Sequence, residues 1–239
     1  EGIIPRNPAN GIRVARGKRT QKVLTAQEAQ TFLNEAQASQ HRFYPIWVVA
    51  LKTGMRSGEM YALTWPDIDF DAGTIQINKQ WTSKDGICPP KNEEWRTIPI
   101  GQDFREFLIE YRLANPGFTA TLFDSTQKKD VTRSDYVLPR LREWHSGMQA
   151  EVTREFCETV QVTSVKFHDL RATFITNLLS SGVPLVKVMA MVGHRKMATT
   201  DVYLRLAGIE LKGATDEMGY TLRKEAHRGK VIGFEPKKN

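Results

Sequence analysis

His168-Asp169-Leu170-Arg171-Ala172-Thr173-Phe174-Ile175-Thr176-Asn177-Leu178-Leu179 is the stretch on which the reading of this chain turns. Its apolar residues recur at helical spacing, Gly182 stops the pattern, and Pro184 suits the first turn of a second helix, Leu185-Val-Lys-Val-Met-Ala-Met-Val192, closed by Gly193. An amphipathic helix here puts His168 and Arg171, three apart, on one face. Working outward toward the carboxyl end, His194 follows Gly193 directly and Tyr203 lies nine positions further on. A short helix capped by Thr199 or Thr200 is expected to carry Tyr203, and another helix is expected over 211–222.

Working outward toward the amino end, Phe43 to Leu51 is apolar nearly all round, which places a helix in the middle of a core, and Gly54 offers its left-handed cap. Ser57 can then cap a second short helix running to Leu63. Thr25-Ala-Gln-Glu28 has the form of a capping box, with Ala29, Phe32, Leu33 and Ala36 following at helical spacing. Between these helices and the opening stretch, Ile68, Phe70, Ile75 and Ile77 surround the turn-like Asp71-Ala72-Gly73, and Trp95, Thr97, Ile98 and Ile100 follow. Alternation and turn residues predict an antiparallel sheet of about three strands. From Asp103 onward the reading is mostly helical. Phe104, Phe107, Leu108 and Tyr111 share a face, Pro116-Gly117 breaks it, and the pattern resumes from Tyr136 to Trp144; residues 146–161 leave it open. The fold class is therefore α+β, mostly α-helical, with a small sheet at one edge.

The chain of 239 residues carries a formal charge of +7 and is 40% hydrophobic, enough for a real core. The charge excess favours a polyanionic partner, because Lys and Arg that neutralise phosphates release counterions. Solubility alone explains such an excess equally well. Cys88 and Cys157 form no CxxC pair, so neither a structural zinc site nor a disulfide framework is expected, and a reducing cytosolic setting fits. No apolar run has the length of a membrane span, and the opening Glu1-Gly-Ile-Ile-Pro-Arg-Asn-Pro-Ala-Asn-Gly11 lacks a signal-peptide core. That opening reads like the exit from an earlier helical module. Residues 1–22, with Arg13, Arg16, Lys18, Arg19 and Lys22, are expected to form a basic linker that tracks a DNA backbone.

Arg is the favoured phosphate clamp, since its planar fork donates two parallel hydrogen bonds and keeps its charge at any working pH. Thr53-Gly54-Met55-Arg56-Ser57-Gly58-Glu59 sets Arg56 just after a Gly break at a helix start. Taken singly, Arg56 is a surface ion pair, His168 a helix cap, His194 a histidine at a helix end and Tyr203 a core aromatic. No structural requirement puts two Arg, two His and a Tyr at these spacings together.

That set, in this order, resembles the tyrosine recombinases of the phage-integrase family. The likeness runs from about Thr25 to Tyr220; Val192 stands where the family often has Leu before the Gly-His pair, a packing change. The resemblance implies a catalytic domain over 23–205, a preceding DNA-clamping domain, and a tail over 206–239 that docks on a neighbouring subunit. By the same resemblance Arg56 and Arg171 hold the scissile phosphate, His194 donates to it, His168 takes part in proton transfer, and Tyr203 attacks to give a 3′-phosphotyrosyl enzyme. A Lys between the second and third strands acts as general acid; Lys91, ahead of Trp95-Arg96-Thr97-Ile98-Pro99, is the favoured candidate, with Lys84 the alternative and Lys79 also nearby. Glu59 is read as orienting arginines, with Asp169 in a similar role; helix capping is the competing role for both.

The expected function is site-specific recombination of double-stranded DNA, for integration or excision of a mobile element, in a bacterial or phage setting and a cytoplasmic, nucleoid-associated location. The expected assembly is a homotetramer on DNA with tail exchange and accessory DNA-bending or directionality factors, using neither metal nor cofactor. The rival readings are a type IB topoisomerase and a non-catalytic DNA-binding protein of the same fold.

Overall fold

The structure, a computed structural model, describes residues 22–90, 95–194 and 201–207. The chain enters it at exposed Lys22, and the next residues are anchored at once: the Leu24 amide donates to Thr173 Oγ1 across 149 positions of sequence (3.1 Å). Helix α1 (Ala26–Ala38) starts on the expected capping box, Thr25 Oγ1 accepting from the Glu28 amide while Glu28 accepts from the Thr25 amide. Helix α2 (Tyr44–Thr53) is buried on most sides, as its apolar sequence requires, and Gly54 ends it at φ 60°. Helix α3 (Ser57–Ala62) begins one residue earlier than a Ser57 cap implies, because Arg56 is the N-cap and its amide is satisfied by Glu59 (2.7 Å).

The expected antiparallel sheet is present as β1 (Ile68–Asp69), β2 (Thr74–Ile77) and β5 (Arg96–Pro99), with Ile75 opposite Ile98 and Ile77 opposite Arg96. Between β2 and β5 the chain forms a separate hairpin, β3 (Gln80–Thr82) and β4 (Gly86–Cys88), with Lys84 exposed in its turn. Helix α4 (Gln102–Ala114) follows as read.

The helical reading fails after Pro116. Residues on both sides of a four-residue turn form the long hairpin β6 (Phe118–Asp124) and β7 (Lys129–Tyr136), and β6 pairs parallel to β4 to complete a second sheet in the order β3-β4-β6-β7. Strand β6 alternates in burial, but the turn places Lys128, not Gly, at positive φ (53°), so the usual turn signal is missing. Tyr136 accordingly ends a strand, and the helix read there is the short α5 (Arg142–His145).

Helix α6 (Gln149–Thr159) occupies the undecided stretch, followed by α7 (Phe167–Ser180), α8 (Leu185–Val192) and α9 (Asp201–Leu206). One core gathers α1, α2 and α6 around Trp47, whose ring lies 4.7 Å from Phe32 and 4.8 Å from Phe156 between centroids, with its indole N–H donated to Thr153. A second cluster, with Phe174, Ile175, Val188 and Val192, packs α7 against α8 and α9. Tyr203 belongs to this second cluster, so the packing that stabilises α9 also fixes the position of its phenol.

Candidate active site

The first half of the site is built at the break between α2 and α3. Gly54 must be glycine for two reasons. Its φ of 60° disfavours a side chain, and a Cβ there would stand 2.3 Å from a ring carbon of Phe174. The turn it allows presents its carbonyl to Arg171 Nη1 at 2.5 Å. Two residues on, Arg56 donates through Nη1 to Glu59 Oε1 (2.9 Å), and its remaining guanidinium edge makes no hydrogen bond among the described residues. The Arg56 side chain is about two-fifths exposed, whereas that of Glu59 is inaccessible to solvent.

A buried carboxylate needs compensation, and one half-exposed guanidinium supplies little. The rest comes from Arg96, at the start of β5, which grips Glu59 with both prongs: Nη1 to Oε1 at 2.9 Å and Nη2 to Oε2 at 2.6 Å. Burial alone raises the Glu59 pKa, but the hydrogen bonds and charges of Arg96 and Arg56 outweigh it and hold the carboxyl below its usual range. Arg96 escaped the sequence reading. The only signal was an Arg at the head of a β-strand, and its partner sits 37 positions away.

The second half is built at the end of α8. Arg96 Nε donates to Met191 O (2.8 Å) and Arg171 Nη2 to Val192 O (2.5 Å), so two cations sit on the carbonyls at the negative end of that helix. Gly193 then turns at φ 70°, and a Cβ there would lie 3.3 Å from Arg96 Cδ, so its bareness also makes room for the arginine. His194 follows, with Nε2 3.2 Å from Arg171 Nη2 and its ring near-parallel to that of Tyr203, 6.3 Å away between centroids. Arg171 is 5% exposed and Tyr203 7%. Burial, with Arg56 adding repulsion, brings the Arg171 pKa down to about 10. For His194, burial and the charges of Arg171, Arg56, Arg96 and His168 bring it down to about 4.

His168, in the first turn of α7, remains exposed; partial burial, Arg171 and Arg56 lower its pKa while Asp169 works the other way. Asp169 caps α7, accepting from the Lys166 amide at 2.9 Å, and among the described residues shows no hydrogen bond to an arginine. Its role is thus the capping one. Glu59 does both jobs, capping α3 and holding arginines. Of the candidate lysines, Lys79 is engaged by Asp67 and by Thr64 Oγ1, Lys84 is exposed in the β3–β4 turn, and Lys91 lies outside the described residues. Arg13, Arg16, Lys18 and Arg19 also lie outside them, as does the tail beyond residue 207.

Residues from α2–α3, β5, α7, α8 and α9 thus converge on one place with three guanidiniums, two imidazoles and a phenol against one carboxylate. Burial first, and mutual repulsion after it, lower the pKa of Arg171 and of both histidines. An anion held among them relieves that repulsion, and a tetrahedral oxyanion can take several of the donors at once. Among the described residues no group of His, Cys, Asp and Glu is placed to hold a metal ion, and no helix is long and apolar enough to cross a membrane.

Comparison with known proteins bears on this arrangement. Curated relatives include the ICEBs1 integrase of Bacillus subtilis (strain 168), 25% identical over 224 residues, covering 91% of this chain and 60% of that protein. Another is a XerD tyrosine recombinase of Halalkalibacterium halodurans, 28% identical over 199 residues, covering 82% of this chain and 60% of that one. The chain therefore spans about 60% of these relatives' length. Among solved structures, the Tn1549 transposon integrase in complex with transposon right end DNA superposes with a TM-score of 0.66 at 20% identity, covering 90% of this chain and 71% of that one. The catalytic domain of bacteriophage HP1 integrase gives 0.54 at 17% identity, with 83% and 96% covered. These likenesses show a shared fold. The sequence pattern of the phage integrase family matches residues 22–208, and the chain belongs to that family.

Proposed function

We propose that this chain is the strand-cleaving part of a site-specific DNA recombinase that serves the integration or excision of a mobile element. The observation that carries the reading is the convergence of Arg56, Arg171, His194 and Tyr203, which are far apart in sequence and share no structural need to meet. Arg56 and Arg171 receive the non-bridging oxygens of the scissile phosphate. Tyr203 Oη attacks phosphorus, a P–O(Tyr) bond forms, and the P–O5′ bond breaks. The phenolic proton passes toward His168, and the leaving 5′ oxygen takes a proton from Lys91. The released 5′-hydroxyl of another strand then attacks the phosphotyrosine and frees the enzyme. Each step exchanges one phosphate ester for another, so the bond energy is conserved and no nucleotide triphosphate is consumed.

Two features support Lys91 over its neighbours. Lys79 is held by Asp67, and Lys91 stands five positions before Arg96, whose guanidinium is already in the site. Double-stranded DNA is the substrate, contacted also by the basic residues Arg13 to Lys22. Strand exchange engages four copies, with accessory DNA-bending or directionality factors setting its direction. The carboxy-terminal segment, with Ile209, Leu211, Met218 and Leu222, docks on a neighbouring copy. The acceptor is an apolar groove of about 710 Å³ lined by Leu51, Phe104, Phe174, Leu178, Val183 and Met191, with Lys52 and Asp103 at its rim.

The test is covalent capture on a suicide DNA, nicked so that the cleaved end diffuses away. The chain should be trapped through Tyr203 and the Tyr203→Phe variant should not. Capture of Tyr203→Phe at the same rate would remove the nucleophile assignment. Sequence-specific binding without any capture of the unaltered chain would instead favour the non-catalytic reading, and relaxation of supercoiled DNA by a single copy the topoisomerase reading.

A further inference from the structure

Arg96 stands where the two halves of the site meet. One edge of its guanidinium makes the two-pronged bond to Glu59, which in turn holds Arg56 through its side chain and its amide; Nε reaches the carbonyl of Met191, three residues before His194. Its side chain is 6% exposed, and Gly193 is bare where the Arg96 stem passes. We propose that Arg96 is a positioning residue for the phosphoryl transfer, fixing the distance between the clamp at Arg56 and the His194–Tyr203 side of the same phosphate. The inference rests on the recombinase reading above.

The argument is geometric. Arg56 reaches the site from a six-residue helix, α3, and His194 from the end of an eight-residue one, α8. Neither helix is long enough to hold its angle by its own hydrogen bonds. Two side chains bridge the halves: Arg171 ties the Gly54 turn to Val192 O and His194, while the bridge that starts from the Arg56 side chain runs Arg56, Glu59, Arg96, Met191 O. Three of the five N–H donors of Arg96 go to Glu59 and Met191, and its charge is met by the buried Glu59 carboxylate, so it acts by holding other groups in place. Glu59 is faced by Arg56 on its own helix, Arg96 on β5 and, further off, Arg171 on α7. Without Arg96 the buried carboxyl keeps one partner, burial then dominates, and protonation as the pH falls releases Arg56.

The experiment measures the rate of covalent capture for the intact chain, Arg96→Gln and Arg96→Lys, across mildly acidic to alkaline pH. Two suicide substrates are used, an ordinary one and one with sulfur at the bridging 5′ position, whose thiolate leaves without a general acid. DNA affinity and thermal midpoint are recorded alongside. Arg96→Gln should slow capture roughly 10- to 100-fold on both substrates, the cost of a misplaced phosphate. It should also show an acidic limb, with activity recovering as the pH rises, that the intact chain lacks. Arg96→Lys keeps the charge beside Glu59 but loses the two-pronged bond and the Nε bond, so it should be slow yet free of that limb.

Equal rates for all three proteins would overturn the proposal. So would a defect cured by the sulfur substrate, which would place Arg96 on the leaving-group side, or a uniform loss that tracks the thermal midpoint in both variants. If Arg96→Gln does not fold, Arg96→Lys decides alone: unaltered capture refutes the proposal, and slowed capture with affinity and midpoint kept supports it. Failure of the intact chain to be captured at all sinks the recombinase reading itself, a distinct outcome.

Discussion

Nη2 of Arg171 lies 3.2 Å from Nε2 of His194. An arginine has only donors, so the imidazole must accept through Nε2 and carry its proton on Nδ1. That requires a neutral ring, in keeping with a pKa brought down to about 4 by burial and by the surrounding cations. A phosphate changes the balance, because its negative charge favours the imidazolium and offers an acceptor. DNA binding should therefore take up a proton, and affinity should rise as pH falls from neutral toward about 4. Fluorescence anisotropy at fixed salt will show this, with the slope reduced in His194→Gln; a pH-independent affinity for both would contradict it.

The same residue shapes stability in the absence of DNA. Its folded pKa of about 4 lies below the unfolded value of 6.5, so the unfolded state binds the proton more readily between them. Stability from this group is complete above 6.5 and is lost as pH falls toward 4. The thermal midpoint of the chain should drop across that window, and less so in His194→Gln.

Arg56→Lys keeps the charge but cannot hold Glu59 and at the same time present a flat fork to a phosphate. Capture should fall about 100- to 1000-fold with the fold intact by circular dichroism. Capture within a factor of about two of the unaltered rate would refute the clamp.

Gly54→Ala should be costly for a substitution so small. The new methyl would meet the Phe174 ring at 2.3 Å, on a backbone at φ 60°. A loss of about 1–3 kcal/mol is expected in denaturant unfolding. The Gly54 carbonyl orients Arg171, so capture should fall as well; a variant that folds and cleaves normally would show that the turn tolerates a side chain.

Removing residues 209–239 should leave single-strand capture in place while abolishing the tetramer on DNA, read by sedimentation of the complexes. Assembly that persists without the tail would overturn the docking reading.

The site was legible where chemistry is carried by short motifs. Arg56, His168, Arg171, His194 and Tyr203 were marked by residue type and order, and the Gly54 and Gly193 turns by the absence of a side chain. Arg96 was not, because its role lies in a pairing with Glu59 that spans two elements and leaves no local pattern. Asp169 shows the opposite weakness, an acidic neighbour of candidate site residues that caps its own helix. The β6–β7 hairpin was missed because its turn lacks glycine and its strands are polar on one side, so only pairing with β4 distinguishes it from loop.

The two arginines on the last carbonyls of α8 bear on when the work of assembly is done. Like charges do not gather unaided, and Arg56, Arg96 and Arg171 are brought together only because Glu59, Gly54 O, Met191 O and Val192 O hold them. The repulsion is thus met during folding. On the proposed function, an arriving phosphate would find its cations already standing in formation, and the tension among them would become part of its welcome.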